Sequence, residues 1–282
     1  MINARKTALG RSAAKNALQL RVRGGFDLGD PCDIYSLIEK HGLDLQFMDV
    51  PSLEGLYLNE REAHRICVSA HRPAGRQRFT AAHEFGHHSA GHGSSVDKVL
   101  EYRANAVVPE HEFIADTFAR FLLMPNRAVQ RGFRERNHDP SAPTPDQVYR
   151  VAAWLGVGYA TLLEQMRFSL GILAFDAYRR LKATKLKSVK ALLTGLPPDG
   201  DIWMVDQLWA GMRLHAKTGD LIAGVVPATG CTVLKQAFED HHTFVADRVG
   251  EVECGIVGGQ KVRVSVSRPK YIGFYDYMYL ED

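Results

Sequence analysis

No run of eighteen apolar residues occurs anywhere in the 282-residue chain, so a membrane-spanning helix is not expected. The basic N-terminus, MINARKTALGRSAAKNALQLRVRGG, lacks a long apolar core and a small-residue cleavage site. It is therefore not read as a secretory signal, and a cytoplasmic location is expected. Cysteine is scarce: Cys32, Cys67, Cys231 and Cys254 are scattered and no pair has C-x-x-C spacing. That excludes a disulfide framework and a cysteine-rich zinc site and leaves buried thiols in a reducing compartment, with a Cys231/Cys254 meeting across a sheet left open. A net charge of only +3 is too small to argue for nucleic acid. The basic residues of 179–190 read as a solvated helix face. What is present, 45% apolar and 24% charged residues, is enough for one large or two smaller globular domains.

Along the chain, helical and extended patterns alternate and then segregate. Residues 11–20 are rich in helix formers. CDIYSLIEKHG follows as a second helix, with Ile34, Leu37 and Ile38 on one face and Gly42 as its stop. Short strands are expected at 43–50, 55–59 and 65–69, as a small antiparallel sheet. A helix over 77–89 and another from Glu110 to Pro125 come next, the second with Phe113, Ile114, Phe118, Phe121 and Leu122 as an apolar stripe. Thr144 is placed to N-cap a helix that starts with Pro145 and is followed, after the Gly156 turn, by a second helix. That helix–turn–helix outline offers only Arg167 at the end of its second helix, behind Glu164 and Gln165, so direct DNA binding is not expected. After a further helix over 173–193, strands punctuated by Gly and Asp take over, and Val262, Val264 and Val266 alternate onto one face. The expected architecture is α+β: a mixed domain of helices and a small sheet over 1–125, a helical subdomain over 126–197 and a β-rich domain over 198–282.

The richest chemistry lies in RFTAAHEFGHHSAGH, residues 78–92. His83, Glu84 and His87 form H-E-x-x-H. On a helix, positions i and i+4 share a face, so both imidazoles can reach one metal ion. Glu84 beside the first ligand can take a proton from water held by that metal. Gly86 between the ligands costs the helix about 1 kcal/mol relative to alanine and fits where another element passes close by. Zinc usually takes three protein ligands and leaves the fourth position to water. Residue 93 is Gly and residue 90 is Ala, so the longer pattern with a third histidine fails, and His92 reads as a surface or supporting histidine. The third ligand is sought at the start of the next helix. Glu112 as ligand, with Asp116 four residues on accepting a hydrogen bond from a ligating histidine, is the most economical arrangement. His111 is the competing ligand, and acidic residues that complement the helix dipole are the reading without metal. His88, Tyr102 and His111 are candidates to stabilise an oxyanion.

RFTAAHEFGHH and EHEFIADTFARFLLMP resemble the ImmA/IrrE family of metallopeptidases, which pairs H-E-x-x-H with E-x-x-A-[ND]-x-F-A and L-L-M-P. The matching positions are His83, Glu84, His87, Glu112, Ala115, Asp116, Phe118, Ala119 and 122–125. The resemblance extends to PCDIYSLIEKHGLDLQFMDV, EGLYLN and the paired helices of 144–168. Its thermolysin-like (gluzincin) geometry favours Glu112 over His111. It implies a zincin-like metallopeptidase domain over 1–125 that holds Zn2+, with Mn2+ or Fe2+ fitting the same ligands. The implied substrate is a specific regulatory protein such as a helix-turn-helix repressor, in phage immunity, stress response or toxin–antitoxin regulation. The strand over 55–59 is expected to pair with an extended substrate segment. The shared motifs do not account for the β-rich tail, which is expected to sense a ligand or recruit substrate. The competing reading is a regulatory binding protein that keeps a metal-binding fold without catalysis.

Overall fold

The computed structural model describes residues 2–60, 64–98, 108–195, 199–238, 242–256 and 258–280. They form two compact units, Met1–Arg131 with Leu155–Gln165 and Ile272–Tyr275, and Gly132–Trp154 with Met166–Tyr271 and Asp276–Asp282. The expected α+β architecture is observed: a mixed first region, a helical stretch and a β-rich C-terminal region with two small sheets. No helix among the described residues is long and apolar enough to cross a membrane.

The first unit opens with helix α1 (Ile2–Arg23), longer than the 11–20 core that composition marks, because no proline interrupts it and its side lies along a later helix. Helix α2 (Ile34–Lys40) is N-capped by Asp33, whose Oδ2 accepts a bond from Ser36 Oγ at 2.8 Å. It buries Ile34, Tyr35, Leu37 and Ile38 and stops at Gly42, whose φ of 73° suits a residue without a Cβ. Strands β1 (Asp44–Met48), β2 (Leu53–Asn59) and β3 (His64–Ser69) precede helix α3 (Ala74–Ser89), strand β4 (Ser95–Lys98) and helix α4 (Glu110–Leu123).

The sheet is mixed rather than wholly antiparallel. β2 pairs antiparallel with β3 and β4, but β1 runs parallel to β3. Three strands in sequence would form a meander if each paired with the next. Here the short 49–52 connection carries the chain past β3's position, so β3 lies between β1 and β2. A second difference concerns the sheet's edge. The segment SVDK, too short and polar to signal a strand, forms β4 and covers the free side of β2. β2 is therefore internal, and the expectation that 55–59 offers the open edge is corrected: among the described residues β4 holds that place. α3 packs on β2 and β3 with one side and on α4 with another, and α1 packs on α4. Residues 74–87 of α3 are consequently almost all buried, polar ones included.

The chain continues through helices α5 (Asn126–Arg134), α6 (Pro145–Leu155), α7 (Tyr159–Glu164), a π-helical turn (Gln165–Ser169), α8 (Phe175–Ala183) and α9 (Leu186–Thr194). Thr144 stands where its position implies, its carbonyl accepting from Val148 N at 3.1 Å and its backbone N–H donating to Gln147 Oε1 at 3.0 Å. Its hydroxyl, however, donates to Asp146 Oδ1 instead of accepting from a first-turn N–H. Strands β5 (Ile202–Met204), β6 (Arg213–Lys217), β7 (Leu221–Ala223), β8 (Val225–Pro227), β9 (Leu234–Gln236), β10 (Thr243–Ala246), β11 (Gly250–Ile256), β12 (Lys261–Ser267) and β13 (Gly273–Phe274) follow. In the second unit β5–β7–β10–β9 and β6–β12–β11–β8 form two four-stranded sheets. DLIAGVV reads as one strand but is two in different sheets, broken at Gly224, whose φ of 87° and close approach to Val205 O leave no room for a Cβ. Val262, Val264 and Val266 are buried together, as their alternation implies. Within this unit Tyr149 Oη accepts from Ile202 N at 3.0 Å, and Trp154 Nε1 donates to Leu208 O at 3.0 Å. β13 instead pairs antiparallel with β1 and completes the five-stranded sheet of the first unit.

Candidate metal centre

The spacing of H-E-x-x-H becomes geometry on α3. His83 Nε2 and His87 Nε2 point at the same spot, 3.1 Å apart. α4 brings the third group there because it crosses α3 closely. A Cβ on Gly86 would lie 3.0 Å from Ala115 Cα and 3.2 Å from its carbonyl oxygen, so any side chain there would push the two helices apart by a few tenths of an ångström. With the helices that close, Glu112 Oε2 is 3.2 Å from His83 Nε2 and Oε1 is 3.6 Å from His87 Nε2. Ligands about 2.0–2.1 Å from a tetrahedral ion stand roughly 3.3 Å from one another, so the spacing of this set fits such an ion. His83, His87 and Glu112 could thus hold a metal, and their donor atoms lie within 4.8 Å of one another.

The surrounding groups orient the set. Asp116, one turn along α4 from Glu112, places Oδ1 3.1 Å from His83 Nδ1, which commits that ring's other nitrogen to the cluster. His92 does the same kind of service for His87, with the two Nδ1 atoms 3.0 Å apart. His111 stands outside the cluster: it is largely exposed and reaches Glu112 Oε1 at 3.2 Å. His88 turns to Tyr57, whose Oη is 2.7 Å from its Nδ1, and lies beside Phe85 and His64. Tyr102 lies outside the described residues.

Charge is distributed unevenly over this small volume. Burial alone would lower the His83 pKa, but the carboxylates of Asp116, Asp97 and Glu112 outweigh it and hold the imidazole well above its ordinary value. The same contacts, with His83 first and His87 second, hold Glu112 well below the usual carboxylate range. Glu84 behaves oppositely. It is fully buried, and desolvation, reinforced by the nearby Asp97 charge, pushes its pKa up to about 8. One oxygen, Oε2, accepts a bond from Ser95 Oγ at 2.9 Å, while Oε1 has no hydrogen-bond partner among the described residues.

Two residues here escaped the sequence reading. Ser95 and Asp97, two apart on β4, both face the site: Ser95 meets Glu84, and Asp97 Oδ2 is 3.0 Å from His83 Nε2. A period of two over four polar residues is the only signal SVDK carries, and it is too short to use.

A His–His–Glu cluster on two helices against a mixed sheet defines a metal-binding, peptidase-like domain. The comparison with protein families agrees: residues 38–167 match the Peptidase_M78 family, described as IrrE N-terminal-like domain, so an IrrE/ImmA-like domain is found over that span. No curated protein matches the chain.

Proposed function

We propose that the protein is a zinc-dependent endopeptidase in which His83, His87 and Glu112 hold the metal, Glu84 is the general base and Asp116 positions His83. A bound Zn2+ supplies Lewis acidity to a peptide carbonyl and to water. The observation that carries the reading is Glu84 Oε1, a carboxylate oxygen buried beside the ligand set and without a partner among the described residues. Such an atom is costly to keep in a structural site and is what a proton acceptor for attacking water needs. Ser95 holds the other oxygen and so aims the free one. Having taken the water's proton, Glu84 returns it to the leaving amine.

Substrate would enter along β4, the edge strand of the sheet, as an added strand. The substrate in this reading is a specific regulatory protein such as a helix-turn-helix repressor, as the resemblance of the motifs implies, with the β-rich tail recruiting it or sensing a ligand. Elemental analysis and cleavage of candidate repressors, run on the wild-type protein and Glu84→Gln, test this reading. One metal per chain in both, with cleavage by the wild type alone, is the expected outcome. Metal in both with no difference in effect would leave a non-catalytic binding protein.

A further inference from the structure

The net charge of +3 conceals an uneven distribution. Residues 166–189 carry six Arg and Lys against one acid, Asp176, so this stretch is +5 and the remainder of the chain is −2. A solvated helix face accounts for the charge but not for the aromatic rings beside it. Phe168, in the π-helical turn, is 65% exposed, and Phe175, the first residue of α8, is 51% exposed. Single exposed apolar side chains are ordinary, but these two belong to one patch. Both rings meet Tyr178, whose centroid lies 5.2 Å from that of Phe168 and 6.4 Å from that of Phe175. Cations frame the three rings. The guanidinium carbons of Arg167 and Arg179 lie 5.7 and 5.9 Å from the Phe175 centroid, and Lys182 Nζ lies 5.3 Å from that of Tyr178. Phe175, Tyr178, Arg179 and Lys182 follow i, i+3, i+4, i+7 and so share one face of α8. Asp176 is turned off that face and, with Arg180, lines a hollow against Thr144 and Pro145.

We propose that this face binds single-stranded nucleic acid, with bases stacked on Phe168 and Phe175 and phosphates held by Arg167, Arg179 and Lys182. Each nucleotide brings one π-face and one negative charge, which is the alternation of ring and cation that the patch presents. The other anionic partners use only part of it. An acidic peptide needs the cations alone. An anionic bilayer needs apolar tips standing clear of the charges, whereas Phe175 has two guanidinium groups against its ring. A duplex keeps its bases stacked inside and leaves the rings without a partner. The surface is also distinct from a groove-reading helix: Arg167, the one cation at the end of the helix–turn–helix outline, is turned here to Phe175. The inference is independent of the metal centre and applies equally to the metal-free protein.

The test is fluorescence anisotropy of labelled oligo(dT) and oligo(U) with the full chain, across a salt series, with a duplex, polyglutamate and phosphatidylglycerol vesicles as competitors. Both oligonucleotides are expected to bind, and the tighter one identifies the preferred sugar. Phe168→Leu, which keeps an apolar side chain and removes the ring, is expected to weaken binding about tenfold, while Phe168→Trp retains it. Three neutralised phosphates imply a slope of log affinity against log salt of about −2, and Arg179→Gln should flatten it by about 0.7. Lys235→Gln, an equal loss of charge at an exposed position of β9, should leave affinity and slope close to wild type. All these side chains but Lys235 lie in the patch, and all four variants replace surface groups, so circular dichroism is expected to be unchanged. Three results would overturn the proposal: no binding of either oligonucleotide at low salt, wild-type affinity in Phe168→Leu, or displacement by polyglutamate or vesicles at concentrations where the oligonucleotides themselves compete no better.

Discussion

Gly55 shows how tightly the base is housed. A Cβ at that position would stand 2.5 Å from Thr80 Cγ2 and 3.0 Å from Glu84 Cγ, and closer still to Glu84 Oε1. Gly55→Ala is therefore expected to push the Glu84 carboxylate out of line and to cost about 1–3 kcal/mol through overpacking. Urea unfolding would report the second effect. Turnover per bound metal would report the first, with metal content unchanged because no ligand is touched. Asp116 makes a cleaner test of positioning. Its one bond to the cluster is to His83 Nδ1. Asp116→Ala is expected to weaken metal binding about 10–100-fold, as read by chelator competition. Both residues do their work through a neighbour, and neither contact could be read from the spacing of H-E-x-x-H alone.

The helices align the ligands, and a buried charge secures the helices. Arg21 on α1 is fully buried. It donates to Leu122 O at 2.5 Å, a carbonyl in the last turn of α4, and to Asp27 O at 3.0 and 2.9 Å. A cation at a helix C-terminus both completes the open carbonyls and complements the dipole. Arg21→Met is expected to cost about 2–4 kcal/mol, because the carbonyls lose a charged donor in a dry site. Thermal unfolding measures this, and metal affinity should move little since Glu112 sits at the far end of α4. In sequence, Arg21 is one basic residue among several in a basic terminus, and nothing local marks it as the buried one. The α3–α4 crossing was partly legible: Gly86 implied a close neighbour, but not that Ala115 was the neighbour.

Across the protein as a whole, the metal site makes stability depend on pH. In the metal-free state the Glu84 pKa is raised from 4.5 to about 8. The folded state then binds a proton more tightly than the unfolded one. That contribution is fully present below about pH 4.5 and is lost as pH rises through about 8. His83, raised well above its ordinary 6.5, acts in the same direction, its share being lost as pH passes its folded value. Metal-free protein is thus expected to lose a few kcal/mol on going from about pH 5 to about pH 9, with Glu84→Gln losing distinctly less. Urea midpoints of both proteins across that range check this. Saturating metal is expected to stabilise both proteins and to offset their loss at alkaline pH, since a ligand bound only by the folded state stabilises it. Another feature of the same breadth is the return of β13 to β1, which protects an edge of the first sheet with residues from the far end of the chain.

What could be read in advance follows periods that act within one element. The i, i+4 rule put His83 and His87 on one face of α3, and Glu112 and Asp116 on one face of α4. The alternation in 261–267 put Val262, Val264 and Val266 in a core. Turn chemistry at Gly42 and the start of α6 at Thr144-Pro145 are equally local. The order of the sheet, the identity of its edge and the arrival of Ser95 and Asp97 at the site were not legible. A strand's partners are chosen by ladder bonds and packing with distant segments, and SVDK has too little apolar character to declare itself. The parallel β1–β3 pairing, the break at Gly224 and the excursion of β13 have the same cause. Local periodicity selects which side chains can act together on one element, whereas contacts between elements select which of them meet.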